Sequence, residues 1–190
     1  MRKILNTALL VLSCLSVSSV SLGQEKATEA KGASATLHFA EKALTLVTPE
    51  TWKQLPPKST VIQHEFRVPA TGETFVRITF SISGGSIKDN IDRWVGQFDG
   101  AKKDDIKIEK KDIGATVVNM VDITGTYKES MGGGPFAPGP MKKLENHRML
   151  GAIIELKSGT RVYAKATGPK DLIESNKADF VKMIEGLQTK

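Results

Sequence analysis

Residues 75–98 have the sequence FVRITFSISGGSIKDNIDRWVGQF, and this stretch decides the fold class. In its first third, Val76, Ile78, Phe80 and Ile82 alternate with polar side chains. An alternation of period two is typical of a strand that buries one of its faces. We therefore predict that the stretch begins with a half-buried strand.

The remainder of the stretch changes to helical spacing. Ser86 suits a helix N-cap, and Asp89 follows three residues later, as in a capping box. The apolar residues that recur at helical spacing form an inward stripe: Ile87, Ile91, Trp94, Val95 and Phe98. We predict a helix over residues 86–98, ended by the glycine at Gly100.

The chain on both sides of this unit supplies more strands, joined mainly by hairpin turns. Strands are predicted over residues 44–47, 61–68, 75–82, 106–110, 116–127, 148–156 and 161–166. A last helix is predicted with Pro169 at its first helical position, where the fixed φ of proline fits. This order favours an α+β fold, with an antiparallel sheet of about six to seven strands and two main helices packed on it.

The N-terminus has the pattern of an export signal. Arg2 and Lys3 precede an apolar run that is too short to span a bilayer as a helix, which needs about 20 apolar residues. Small residues at Ser21 and Gly23 predict cleavage before Gln24. No other segment is long and apolar enough to predict a transmembrane helix.

We therefore expect an exported protein, periplasmic or secreted, in three parts. These are a signal peptide over residues 1–23, a flexible polar tether over 24–36 and a single soluble domain over 37–190. Cys14 is the only cysteine and lies in the signal peptide, so the mature chain is expected to lack disulfides and thiolate chemistry. The alternative is a lipid anchor at Cys14, although Leu12 stands where such a signal prefers a small residue.

The charges are mixed along the chain. There are 27 Lys and Arg residues against 21 Asp and Glu, which gives a net charge of +6. Cations and acids are interspersed in runs such as 102–105 and 109–112, a pattern typical of a solvated surface. Aromatic residues make up 6% of the chain and do not interleave with basic ones, so no nucleic-acid partner is expected.

Two glycine-rich segments are candidate sites. Gly84-Gly85-Ser86 lies where a strand leads into a helix, a position that can bind an anion. A phosphate loop would need the pattern Gly-Lys-Ser/Thr, whereas here Ser86 is followed by Ile87. The sequence therefore favours a strand-to-helix turn with an N-cap. The Gly/Pro loop over residues 131–140 has no hydrophobic period. Its Gly133, Gly134 and Phe136 are candidate binding residues, because long loops in compact domains often carry function.

A second group of candidates lies on the neighbouring strands. Asp122, His147 and Arg148 are candidate binding residues near the ends of predicted strands. Together with Glu155 they are also the alternative prediction, a small-molecule or hydrolytic site with a base and an orienting carboxylate. No histidines have the spacing of a helical metal pair, so no metal, cofactor or catalytic residue is predicted.

Several segments taken together resemble a family of exported bacterial proteins of uncharacterised function, with a PsbP-like domain, the fold of an extrinsic subunit of the oxygen-evolving complex. The likeness covers residues 37–187 and is carried by these segments: 48–52, 84–94, 121–127, 134–138 and 147–150. The resemblance implies a non-enzymatic binding or accessory role and transfers no catalytic residue. We therefore predict an exported, non-catalytic domain that binds a protein or envelope component through the Gly/Pro loop and the adjacent strand ends.

Overall fold

The computed structural model describes residues 33–69, 71–134 and 137–190. The predicted signal peptide, Cys14 and the first part of the predicted tether lie outside these residues, as does Phe136. The structured chain starts with β1, whose first residue, Thr36, is the last residue of the predicted tether.

The described residues form an α+β structure in which every strand pair is antiparallel. The strands are β1 (Thr36–Phe39), β2 (Leu44–Val47), β3 (Lys53–Leu55), β4 (Ile62–Val68), β5 (Val76–Ile82), β6 (Phe98–Asp99), β7 (Ile106–Ile113), β8 (Thr116–Ser130), β9 (Gly133–Gly134), β10 (Ala137–Pro138), β11 (Met141–Glu155), β12 (Arg161–Pro169) and β13 (Gln188–Thr189). The helices are α1 (Ile87–Val95) and α2 (Lys170–Glu185), and a short 3-10 helix covers Lys103–Asp105.

The main sheet has eight strands in the order β3-β4-β5-β12-β11-β8-β6, with β7 also paired to β8. The predicted sheet of six to seven strands is therefore too small. The difference comes from β3 and β6, which have three and two residues and are too short to show an alternating pattern. Strands β1, β2 and β13 form a separate three-stranded sheet.

Alternation along the strands gives the main sheet two different faces. On the α2 face, α2 and the three-stranded sheet cover the larger core, in which Trp52 packs on Phe66 and Phe180 with ring centroids 6.1 and 6.5 Å apart. On the α1 face, α1 covers a smaller core built from β6, β8, β11 and β12. Because α1 has only nine residues, it leaves the part of this face formed by β4 and β5 uncovered.

The start of α1 is as predicted, but its end is not. The Asp89 N–H donates to Ser86 Oγ at 3.0 Å, which confirms Ser86 as the N-cap. The helix stops at Val95, before the predicted end, and Phe98 belongs to β6, paired with Tyr127. Phe98 still packs in the core beside α1, which explains why it matched the helical spacing.

Helix α2 begins one residue later than predicted. Pro169 is the last residue of β12, where it pairs with His147, and its ψ of 139° is that of extended backbone. It is therefore the N-cap residue and not the first helical residue. The apolar residues of α2 and of the segment just after it are buried or packed against the core, among them Leu172, Ile173, Phe180, Ile184 and Leu187.

Close approach of α1 to the sheet depends on the absence of a side chain at Gly151. A Cβ atom at this position would lie 2.9 Å from Trp94 Cε3, which is closer than van der Waals contact allows. We predict that Gly151→Ala lowers the free energy of unfolding by about 1–3 kcal/mol, because overpacking forces the helix away from the sheet. Urea denaturation followed by Trp fluorescence measures this change.

Gly84→Ala is the matched control, because a Cβ there would meet no atom within 4 Å. Its stability should stay within about 0.5 kcal/mol of the parent protein. Equal losses for the two variants would contradict the proposed packing role of Gly151.

Candidate functional site

A cleft of about 330 Å³ lies on the uncovered part of the α1 face. Its floor is formed by outward side chains of β5 and β12, among them Arg77, Thr79 and Lys165. One wall consists of residues 73–75 at the start of β5, and the other belongs to the ends of β8 and β11. We refer to this space as the cleft.

The second wall is an arm formed by two strands that continue beyond the rest of the sheet. The pairing of β11 with β12 begins at His147, so residues 141–144 of β11 pair only with β8. The register shifts between Leu144 and His147, and Asn146 adopts a φ of 51°, a left-handed conformation that asparagine tolerates. A bulge of this kind bends a strand pair and increases its twist.

The Gly/Pro loop lies at the tip of this arm. Met141 pairs with Ser130, and the Met131 N–H donates to the Pro140 carbonyl at 2.9 Å, which closes the base of the loop. Gly133 and Gly134 form the short strand β9, which pairs with β10. The arm therefore connects the predicted binding loop directly to one wall of the cleft.

An ion pair stabilises the floor of the cleft. Arg77 Nε and Nη2 donate to the two carboxylate oxygens of Glu65 at 2.7 and 3.0 Å, and the Lys58 N–H donates to Glu65 at 3.1 Å. Glu65 is completely buried. Burial by itself would raise the pKa of Glu65, but the hydrogen bonds from Arg77 and Lys58 outweigh it and hold this pKa below its ordinary value. The positive charge of Arg77 is therefore neutralised within the protein.

Lys165 lies beside this pair, and its own hydrogen bond is to a neutral group. Its Nζ donates to Gln97 Oε1 at 2.5 Å and lies 5.4 Å from the centroid of the Tyr127 ring. Among the described residues, no carboxylate forms an ion pair with Lys165. Burial, together with the positive charges of Arg77 and Arg93, lowers the pKa of Lys165 to about 8. A cation in this position is electrostatically favourable for an anion that enters the cleft.

Of the predicted strand residues, His147 is the one that lines the cleft. Its ring stacks on Tyr127 with centroids 6.4 Å apart, and its Nδ1–H donates to the Glu145 carbonyl at 2.8 Å. This hydrogen bond fixes the orientation of the ring and leaves Nε2 as the remaining polar atom.

Asp122 and Arg148 lie on the opposite face of the sheet, under α2. Arg148 Nε and Nη2 each donate to an Asp122 oxygen at 2.7 Å, and Arg148 also contacts Glu174. Lys177 Nζ of α2 donates to Asp122 at 3.1 Å. Burial would raise the pKa of Asp122, but the bonds from Arg148 and Lys177 lower it below its ordinary value. These residues form an ion-pair network that joins the sheet to α2.

The alternative site made of Asp122, His147, Arg148 and Glu155 is not assembled. Asp122 and Arg148 point to the α2 face, whereas His147 points to the α1 face. Glu155 is at the far end of β11, where it pairs with Arg161 at 2.8 Å. The four side chains therefore do not share one pocket.

The Gly84-Gly85-Ser86 segment is the strand-to-helix turn that its sequence favours. Gly85 has a φ of 87°, a conformation that glycine adopts without strain. Asn90 Nδ2 donates to the Gly84 and Ser86 carbonyls at 3.1 and 2.8 Å. The turn is thus held together by hydrogen bonds within the chain.

Sequence analysis did not identify Lys165, Arg77 or Tyr127 as site residues. The available signal is alternation, because Lys165 and Thr167 are polar residues between the buried residues Ala164, Ala166 and Gly168 of β12. That pattern assigns Lys165 to an outward face but does not indicate that β5 and the arm lie beside it.

No protein-family model matches the sequence, and the comparison with curated proteins found no match. Among solved structures, the chain is similar to cyanobacterial PsbP (CyanoP) from Synechocystis sp. PCC 6803, with 12% identity, 92% of this chain and 98% of that chain covered, and a TM-score of 0.49. The Ran-binding protein Mog1p of Saccharomyces cerevisiae gives 12% identity, coverages of 83% and 96%, and a TM-score of 0.47. Identities at this level transfer no residue role to this chain.

In the part of the chain that the structure describes, neither helix is long and apolar enough to cross a membrane. The same residues contain no group of three or more His, Cys, Asp or Glu side chains placed to hold a metal ion.

The network around Asp122 should make a large contribution to stability. We predict that Asp122→Asn lowers the free energy of unfolding by about 3 kcal/mol at pH 7, because it leaves the largely buried Arg148 without its main counter-ion. Because folding lowers the pKa of Asp122, the parent protein should lose its extra stability over Asp122→Asn as the pH falls below the ordinary pKa range of an aspartate. Urea denaturation at pH 7 and pH 3 measures both effects.

Asp92→Asn serves as the control, since Asp92 pairs with Lys88 on the exposed surface of α1. Its effect should be about 0.5 kcal/mol or less. If the two substitutions had equal effects, the network would not have the structural role assigned to it.

Replacement of Lys165 should raise the free energy of unfolding, whereas replacement of Asp122 should lower it. We predict that Lys165→Met raises the free energy of unfolding by about 1–3 kcal/mol at pH 7, because it removes a partly buried cation that has no acidic partner within the described part of the chain. The unfolded chain binds more protons than the folded one between pH 8 and the ordinary lysine pKa of 10.5, so the stability of the parent should rise over this interval. The stability difference between Lys165→Met and the parent should therefore be largest below pH 8 and disappear above pH 10.5.

Chemical denaturation from pH 7 to pH 11 measures this trend. Lys177→Met is the control, because Lys177 is paired with Asp122 and its removal should not stabilise the protein. A loss of stability in Lys165→Met at pH 7 would contradict the view that Lys165 is an unfavourable charge in the unliganded fold.

Proposed function

We propose that this protein is an exported, non-catalytic binding module that holds an acidic segment of a protein or envelope component in the cleft. The observation that carries the proposal is the position of Lys165 at the base of an open cleft, where this cation has no carboxylate partner among residues 33–69, 71–134 and 137–190. A charge that is unfavourable in the free protein is explained if an anionic partner compensates it.

The side chains around Lys165 can make both charged and apolar contacts with a ligand. Lys58 and Lys142 add positive charge at the rim, and together with Lys165 they outnumber the two acidic lining residues, Glu73 and Glu129. Phe75 and Tyr127 offer aromatic surface, and Leu144 offers apolar surface. Binding sites on protein surfaces commonly combine aromatic anchors with charged groups at the rim. This combination favours a polypeptide ligand with acidic side chains over a purely apolar one.

The arm relates the cleft to the predicted binding loop. The Gly/Pro loop is closed at its base by Met131 and Pro140, and the strands that carry it form a wall of the cleft. A partner that fills the cleft would therefore meet the loop at the same time. The candidate residues Gly133, Gly134 and Phe136 belong to this loop.

The proposal that the protein is exported rests on the sequence. Residues 1–23 have a basic start, a short apolar run and small residues before the predicted cleavage point. The resemblance of the sequence to proteins with a PsbP-like domain favours an accessory role of the same general kind. A PsbP-like fold for this chain is part of the proposal.

Two adjacent lysines of the arm provide a matched test. Lys142 lines the cleft, whereas Lys143 points away from it and pairs with Asp99. We predict that Lys142→Glu weakens binding of the partner about tenfold, because it places a negative charge at the rim. The partner is first captured from periplasmic extract with the parent protein, identified by mass spectrometry and then titrated by calorimetry.

Lys143→Glu should bind like the parent, although it makes the same change of charge one residue away. A second variant, in which residues 132–139 are replaced by a short Gly-Asn turn, should remain folded and lose most of its affinity. Equal affinity for the parent and Lys142→Glu would exclude the cleft as the binding surface.

A further inference from the structure

A second pocket, of about 200 Å³, lies next to the cleft on the same face of the sheet. It opens to solvent between α1, β5 and β12 and shares Thr79 and Lys165 with the cleft. We call it the inner pocket. Its volume, smaller than that of the cleft, suits a small molecule or a single charged group.

The charge of the inner pocket is positive and uncompensated. Arg93 and Lys165 line it, and no aspartate or glutamate is among its lining residues. Glu155 acts electrostatically on the neighbouring Tyr163, but its carboxylate is paired with Arg161. Arg93 donates to the neutral amide oxygen of Asn90, so this bond does not neutralise it. The pocket therefore presents two cations to any ligand that enters.

Hydroxyl groups complete the lining. Thr79, Ser81 and Ser83 follow one another along the outward side of β5 and the turn after it. Tyr163 is 4% exposed, and its hydroxyl is buried without a hydrogen-bond partner among the described residues. An unpaired buried hydroxyl is costly unless a ligand or water completes its hydrogen bonds.

We propose that the inner pocket binds a phosphate group, as the free ion or as part of a small phosphate ester. A phosphate group presents several acceptor oxygens and carries a charge of about −1.5 to −2 near pH 7, which matches two cations and several hydroxyl donors. The absence of a lining carboxylate removes the repulsion that would otherwise oppose such an ion. This inference goes beyond the proposed function, because its ligand enters the inner pocket and not the cleft.

Calorimetric titration of the mature protein tests the proposal with inorganic phosphate, glycerol 3-phosphate and acetate as probes, at constant ionic strength. Binding of one of the two phosphates, with acetate at least tenfold weaker, is the expected result. Inorganic phosphate as the better ligand identifies the free ion as the source, and the ester as the better ligand identifies an attached group. The proposal is overturned if neither phosphate binds, or if acetate binds less than tenfold more weakly than the better of the two phosphates.

Two variants show whether the bound phosphate is in the inner pocket. Arg93→Gln should weaken phosphate binding about tenfold, and Tyr163→Phe should weaken it several-fold while the fold stays intact, because the lost hydroxyl has no partner within the described protein. The control is Lys142→Glu, which lines the cleft and not the inner pocket. Unchanged affinity in both Arg93→Gln and Tyr163→Phe overturns the assignment.

The same variants keep the two proposals distinguishable. Lys142→Glu should impair partner binding and leave phosphate binding unchanged, whereas Tyr163→Phe should do the reverse. If Lys142→Glu lost partner binding while the parent protein bound no phosphate, the proposed function would stand and the phosphate site in the inner pocket would be refuted. Phosphate stabilisation of the parent in a thermal melt, absent in Arg93→Gln, gives a second readout.

Discussion

The packing of Trp94 on Gly151 determines how the rest of the α1 face can be used. The indole lies on the backbone of β11 because no side chain separates them, and it meets Tyr163 edge to face at 6.1 Å. This contact holds the short helix over β8, β11 and β12. The β4–β5 side of the same face is consequently left without a covering element, and its polar side chains line the cleft and the inner pocket.

The charged side chains on the two faces of the main sheet differ in how they are paired. Under α2, Arg148 and Asp122 satisfy each other, and Lys177 and Glu174 extend the network. On the α1 face, Arg77 is satisfied by Glu65, but Lys165 has only neutral partners among the described residues. Paired buried ions are explained by structure alone, whereas an unpaired one is a candidate site for an anionic ligand. This contrast is the reason that we propose a binding site on the α1 face.

The local features of the fold could be predicted from the sequence, and the long-range ones could not. Strand β5 and the N-cap at Ser86 follow from residues close together in the chain, so their patterns were sufficient. The end of α1 depends on the pairing of Phe98 with Tyr127, a contact between distant segments, and was predicted wrongly. The site, too, depends on contacts between distant segments. Lys165 lies near Arg77 only because β12 pairs with β5, and the sequence neighbours His147 and Arg148 point to opposite faces of the sheet.

The ends of the main sheet also restrict how any partner can attach. At one end, β3 has only three residues and is followed by Pro56 and Pro57, and proline lacks the N–H that a neighbouring strand requires. At the other end, β7 has the sequence IKIEKKDI, in which charged side chains predominate. Short, proline-flanked or charged edges are poor templates for strand addition. Association through the backbone at these edges is thereby discouraged, in keeping with the proposed recognition by side chains on the open face.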